Sequence, residues 1–298
     1  MIITDCPNNI DTSGRELIEH GSDLFPVACY VGDLVLDSAP WHWHGELELM
    51  IVDGGTAEVA VSAEKQRLRS GQGIFINSGV LHGAWSADQG SCPFRSLVFH
   101  PRLVGGSVES IFWQSYLNPL LSSQTFQYCL MDGTESWHEG ILELIGEGCR
   151  VCAEEPSGYE FMVREVLSKI VFQLHSHSNA LSTPVSHKAL RDGERIKRML
   201  SFIQDHLAEP LTTKEIAAQA SVSVSECLRC FHSTIGSTPI QYLKQARIQE
   251  AANLLRTTDW KVAEIGAHCG FQEMSYFAKA FREQCGTTPS EYRARKRT

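Results

Sequence analysis

The sequence predicts an α+β chain of two domains, a β-rich one followed by an all-helical one. Three observations predict it. Short β-rich runs separated by Gly, Asp, Asn and Ser fill residues 24 to about 100. The apolar period then changes to that of helices from residue 135. Finally, the tail holds one small helical unit twice. With 298 residues, 43% of them apolar and 20% charged, the chain is long enough for two cores.

The β-rich part begins after MIITDCPNNIDTSG, which lacks the basic start and apolar run of a signal peptide. No stretch approaches 18 uninterrupted apolar residues, so a membrane span is not expected and the cytoplasm is. The runs LFPVACYV, ELELMIV, AEVAVS, GIFIN and FRSLVF suggest an antiparallel sandwich or small barrel. Two amphipathic helices follow, over residues 135–154 and 159–175. They carry Ile141, Leu142, Leu144 and Ile145, then Phe161, Val163, Val166, Leu167, Ile170, Val171 and Leu174 at helical spacing. Such helices either cover the sheet or form a dimer interface. The polar, proline-containing SHSNALSTPVSHKAL reads as a linker. The resulting boundaries are 1–134 for the β domain, 135–178 for the helical pair, 179–191 for the linker and 192–298 for the tail.

Ten cysteines scattered through a chain without a secretory signal read as reduced thiols. The CxxC pairs Cys149/Cys152 and Cys227/Cys230 fall inside helical patterns, where metal or redox use is unusual. The net charge of −9 hides an asymmetry: residues 191–298 carry +4, the rest −13. A basic tail on an acidic protein points to an anionic partner for that tail alone.

Within the tail, Glu215-Ile216 matches Glu264-Ile265 at an offset of 49. Phe231, Gly236, Thr238, Pro239 and Tyr242 match Phe281, Gly286, Thr288, Pro289 and Tyr292 at 50. Thr212 with Glu215, and Ser223 with Glu226, fit the S/T-x-x-E capping box and mark two helix starts. Gly236 and Gly286 suit left-handed helix stops, and each Thr-Pro suits an N-cap followed by N1. This is helix-turn-helix grammar, written twice. Between the copies Ile240, Leu243, Ala246, Ala251, Leu254 and Leu255 trace an apolar stripe on a helix of about 18 residues, roughly 27 Å long. That is comparable to the ~34 Å between successive major-groove faces on one side of a duplex.

These residues, with GF…SYF…F…G.TP..YR in the second copy, resemble the DNA-binding domain of AraC/XylS-type transcriptional regulators over about 100 residues. The N-terminal part resembles the cupin sensing domain of such regulators, implying a jelly-roll β-barrel. The resemblance implies a first recognition helix starting at Ser223 and presenting Val224, Ser225, Leu228 and Arg229 to DNA, with Cys227, Cys230 and Phe231 in the core. In the second it implies Met274, Ser275, Ala278 and Lys279, with Tyr276, Phe277 and Phe281 nearer the core. Arg229 and Lys279 suit guanine or phosphate. Two departures stand out: Leu228 is apolar where a polar base reader is common, and Lys261 occupies the place of the capping Thr212.

Earlier in the chain, WHWHGELELMIV spaces His42, His44, Glu46, Glu48 and Met50 evenly, so an extended strand would put them on one face and Trp43, Leu47, Leu49 and Ile51 on the other. With His82 near a later turn, the set resembles the cupin pattern HxHxxxE…H. Imidazoles plus a carboxylate suit a divalent Zn, Ni, Fe or Mn ion; the same residues also suit a small polar effector met without metal. Asn77-Ser78 stands where the family commonly has proline. The reading that follows is a cytoplasmic, dimeric transcription activator. It would bind promoter DNA, sense a small polar effector such as a sugar through His42, His44, Glu48 and His82, and have RNA polymerase as a further partner. Two alternatives are a constitutive DNA-binding protein with a scaffold cupin and a metal-dependent cupin enzyme.

Overall fold

The computed structural model describes residues 2–3, 20–36, 38–62, 64–88, 90–181 and 187–296. They form two compact units, divided in the sequence between Leu190 and Arg191.

The first unit contains β1 (Ile2–Ile3), β2 (Val27–Asp33), β3 (Ala39–His42), β4 (Leu47–Val52), β5 (Thr56–Val61), β6 (Glu64–Arg69), β7 (Gly73–Ile76), β8 (His82–Ser86), β9 (Pro93–Phe99) and β10 (Tyr128–Met131). They make two sheets, ordered β1-β2-β9-β4-β7-β10 and β3-β8-β5-β6. The five β-rich runs of the sequence supply β2, β4, β5, β7 and β9. Periodicity missed β3, β6, β8 and β10. The charged EKQRLR of β6 is stable as a strand because it lies at a sheet edge, buries Leu68 and leaves its charges in water.

Both faces of β4 are covered. Leu47, Leu49 and Ile51 pack on a cluster with Phe75, Leu97 and Phe99. Met50 and Val52 point the other way, into a second cluster with Val59, Ile74 and Ile76. The alternation read from ELELMIV is therefore real. After β9 come α1 (Arg102–Gly105), a five-residue π-helix (Trp113–Leu117) and α2 (Asn118–Leu121), then α3 (Ser136–Glu154) and α4 (Tyr159–Leu181). Ile141, Ile145, Val163, Val166, Leu167 and Ile170 join the first cluster, so α3 and α4 cover the six-stranded sheet. Phe161, expected on the buried stripe, is 79% exposed. It lies in the first turn of α4, two positions before the first buried residue of the stripe, Val163.

Helix α4 runs to Leu181 and α5 (His187–Asp205) starts six residues later, so helix occupies both ends of the segment read as a linker. Residues 182–186 of that segment lie outside the described residues. The remaining helices are α6 (Thr213–Gln219), α7 (Val224–Thr234), α8 (Pro239–Thr257), α9 (Val262–His268), α10 (Met274–Cys285) and α11 (Pro289–Lys296). The duplication is visible in them: α6-turn-α7 and α9-turn-α10 repeat one pattern, with α8 between. Ile216, Cys227, Cys230 and Phe231 are buried in the first copy, as are Ile265, Phe277, Ala280 and Phe281 in the second. On α8 the buried face is Tyr242, Leu243, Ile248, Ala251, Ala252 and Leu255. Ile240, assigned to that stripe from the sequence, is 43% exposed. The burial starts instead with Pro239 at the helix start and Tyr242, three residues on and hence on the same face.

Candidate functional site

The strand expected to carry both histidines and Glu48 is not continuous. β3 stops at His42, the chain bends at Gly45 and Glu46, and β4 starts at Leu47 in the opposite sheet. His42 thus belongs to the four-stranded sheet, where it is the register partner of His82 on β8. Glu48 belongs to the six-stranded sheet, opposite Ile76 and Val98. His44 sits in the crossover. Even so, the ligand atoms of His42, His44, Glu48 and His82 all lie within 4.8 Å of one another. Glu46 stays outside the group, its carboxylate 3.8 Å from His44 Nδ1.

The geometry fixes the tautomers. His42 Nδ1 donates to Pro40 O (2.7 Å), His82 Nδ1 to Val80 O (2.8 Å) and His44 Nδ1 to Glu46 O (3.3 Å). Carbonyl oxygens only accept, so each Nδ1 carries the hydrogen and a neutral ring turns its Nε2 lone pair inward. Glu48 Oε2 lies 3.1 Å from Nε2 of both His44 and His82, and Oε1 accepts from Ser96 Oγ (3.0 Å). Neutral rings would set lone pairs against the carboxylate. Each contact is favourable with a shared proton or a cation between nitrogen and oxygen. Burial by itself would raise the Glu48 carboxyl, yet the bonds from His44 and His82 and their charge hold it well below the usual carboxylate range. The three imidazoles are buried.

This donor set fits a divalent metal: three inward imidazole nitrogens with their far sides anchored by carbonyls, plus a carboxylate. The span is one that donors about 2.0–2.2 Å from a common ion reach with small rotamer shifts. Two contributors have roles that the sequence does not show. His20, buried, places its ring 5.3 Å from that of His44 and bonds through Nδ1 to Tyr30 Oη at 2.8 Å. Asn77, where proline was expected, donates to Leu120 O (2.7 Å) and Phe126 O (2.8 Å), while Ser78 Oγ donates to Gly45 O (2.8 Å). The departure therefore clamps the bend between His44 and Glu48. A lone His carries no spacing signal, and the Asn-Ser departure is visible in the sequence without the partners that give it a role.

On the helical unit, Val224 and Leu228 are 40% and 39% exposed, and Ser225 is also exposed. Ser275 and Lys279 are exposed on α10, with Met274 and Ala278 half-buried. Tyr276 is 53% exposed rather than nearer the core: it lies on the outer face of α10, under Lys244, whose Nζ is 5.6 Å from the ring centre. Cys149, Cys152, Cys227 and Cys230 are buried free thiols inside α3 and α7.

The Arg229 Nε donates to Glu226 Oε2 (2.9 Å), and its Nη2 to Glu226 Oε1 and Asp192 Oδ2 (2.8 Å each). Arg195 Nη1 reaches the same two acids at 3.3 and 3.1 Å. These bonds raise the Arg229 guanidinium above its ordinary value. Burial would raise the Asp192 carboxyl, but the two arginines hold it down.

Comparison with known proteins agrees with both halves. Residues 25–136 match the model of the AraC-like ligand binding domain and residues 216–295 that of a helix-turn-helix domain. An uncharacterized HTH-type transcriptional regulator, YdeC of Bacillus subtilis, is 29% identical over 287 residues, covering 95% of this chain and 97% of its own. The HTH-type transcriptional activator RhaS of Escherichia coli O157:H7 is 31% identical over 260 residues, covering 85% and 87%. The crystal structure of fatty-acid-bound ToxT from Vibrio cholerae superposes with a TM-score of 0.50 at 13% identity, over 90% of this chain and 94% of its own, and so speaks for the fold alone. These families and relatives are regulators rather than enzymes, and no described helix is long and apolar enough to cross a membrane. The chain belongs to the AraC family of helix-turn-helix transcriptional regulators.

Proposed function

We propose that the chain is a cytoplasmic transcription activator whose input is the cluster His42, His44, Glu48 and His82. The observation that carries this reading is the cluster itself: three buried imidazoles and a low-titrating carboxylate, held between two sheets, in a chain that also carries a duplicated DNA-binding unit. Three imidazoles that anchor Nδ1 on backbone carbonyls and turn Nε2 toward one buried carboxylate form a donor set of the kind that binds a ligand or cation. The effector class is a small polar molecule such as a sugar, met by the imidazoles and Glu48 directly or beside a metal ion. A divalent ion held by these four residues would supply a Lewis-acidic centre for hydroxyl or carboxylate oxygens. Relatives described as transcriptional activators support the sign of the output.

DNA contact falls to Val224, Ser225, Leu228 and Arg229 on α7 and to Met274, Ser275, Ala278 and Lys279 on α10. Phe161, Phe172, Ile111 and Phe112 leave apolar surface on the first unit, consistent with a homodimer. RNA polymerase is the further partner that activation requires. Effector binding acts by linkage, favouring the arrangement of the DNA-binding units that the promoter selects.

The test uses the full-length chain, a site selected from random duplexes, and a reporter driven by that site. His42→Ala and Glu48→Gln should abolish response to the effector by tenfold or more, with circular dichroism and uninduced DNA affinity unchanged. An unaltered response in both variants overturns the sensing role and favours a scaffold β domain.

A further inference from the structure

We infer that the first recognition helix reads DNA through thymine methyl groups, by Val224 and Leu228, and that Arg229 holds phosphate rather than guanine. This rests on the reading of α7 as a DNA-recognition helix.

Three observations carry it. First, Val224 and Leu228 lie four apart and so share one face of α7, and both are among the exposed large apolar residues of the helical unit. Nothing described covers that face, although the other side of the same helix buries Cys227, Cys230 and Phe231 completely. An apolar pair at a base-reading position has one good complement in the major groove, the C5-methyl of thymine.

Second, the guanidinium of Arg229 has spent the donors that guanine needs. A guanidinium forks across guanine O6 and N7 with two adjacent nitrogens, and both such edges include Nη2. In this chain Nη2 is bonded to Glu226 and Asp192 and Nε to Glu226. Only Nη1 has no hydrogen bond among the described residues. One nitrogen directed at one acceptor suits a phosphate oxygen.

Third, the neighbouring acids are themselves held. Glu226 would be expected to close the capping box on Ser223, but Ser223 Oγ accepts from Glu226 N while the Glu226 carboxylate goes to Arg229 and Arg195. Asp192, on α5, is buried and bridges the same two arginines. The network costs half a cap, and in exchange it pins Arg229. The second copy differs: Lys279, at the equivalent position, is exposed and makes no ion pair among the described residues. The two helix-turn-helix units therefore read DNA by different chemistry, and base identity under α7 falls to the methyl contacts.

The experiment begins by selecting sites from random duplexes with the full-length wild type and with Leu228→Ala; positions whose preference relaxes only in the variant locate the footprint of α7. Each thymine there is then replaced by deoxyuridine, which removes the methyl and nothing else. Wild type should lose about three- to fivefold affinity per contacted methyl, the value of one buried methyl group. Leu228→Ala and Val224→Ala should bind less tightly, and the affected deoxyuridine substitutions should cost them nothing more, the coupling a double-mutant cycle detects. Replacing guanines by 7-deazaguanine under α7 should leave wild type unchanged, and Arg229→Ala should lower the salt slope by about one. Two outcomes overturn the inference: deoxyuridine duplexes bound as tightly as thymidine ones, or a 7-deazaguanine penalty that disappears in Arg229→Ala. Failure to enrich any sequence, or relaxation nowhere in Leu228→Ala, would instead remove the DNA-reading role of α7 itself.

Discussion

Glu250, on α8, is a partly buried carboxylate whose titration burial pushes above the ordinary glutamate range, against a hydrogen bond from Asn253 and the charge of His268. Its ionised form is therefore favoured less in the folded state than in the unfolded chain. Stability should be highest below the unfolded value of about 4.3 and fall as pH rises through the raised folded value. Glu250→Gln removes that penalty: urea unfolding should show the variant gaining on wild type as pH rises from mildly acid to neutral. A variant less stable than wild type at neutral pH would mean that the carboxylate has a partner worth more than its desolvation. At the same scale, His20 and Asn77 show why site residues escape a sequence. His20 lies in no spaced motif and Asn77 is a departure from one; the first is held near His44 by Tyr30, ten residues on, and the second bonds Leu120, 43 residues on.

Helix ends decide much at the scale of elements. Thr212 caps α6 with a reciprocal bond to Glu215, and Thr238 caps α8 with Gln241, as the sequence pattern implied. α9 has the second half only: Glu264 accepts from Lys261 N at 3.0 Å, but the lysine side chain can accept nothing in return. Lys261→Thr should restore the missing bond and stabilise the chain by about 1 kcal/mol. Thermal unfolding without DNA checks this, and an unchanged or lower midpoint counts against it. Strands were less legible than helices. β6 and β8 lack β-branched alternation and exist because β5 pairs with both, whereas α7 and α10 announce themselves by caps and by apolar residues at helical spacing.

For the molecule as a whole, linkage makes the proposed switch testable without knowing its geometry. If effector changes DNA affinity by some factor, DNA must change effector affinity by the same factor. Calorimetric titration of the full chain, with and without saturating operator duplex, should give equal factors, about 5- to 150-fold for a coupling of ordinary size. Effector affinity identical in the two titrations would show that the β domain and the helix-turn-helix units are uncoupled. Wild-type coupling that is lost in His42→Ala would tie it to the histidine cluster rather than to the helical surface around Phe161.

The sequence by itself determined the two-part organisation, the repeat at offsets of 49 and 50, the helix caps and the alternation of β4, because each depends on residues near in the chain. Its resemblance to the cupin pattern HxHxxxE…H also named the four side chains that meet. Only the tertiary structure decided how they meet: His42 and His82 on one sheet, Glu48 on the other, with backbone carbonyls setting each tautomer. It alone placed Arg229 between Asp192 and Glu226, exposed Ile240, Phe161 and Tyr276, and put Ser78 to use as a clamp on Gly45. The physical reason is the same in each case. Periodicity fixes which way a side chain leaves its own element, but its partners come from other elements, and only packing brings those within hydrogen-bond distance.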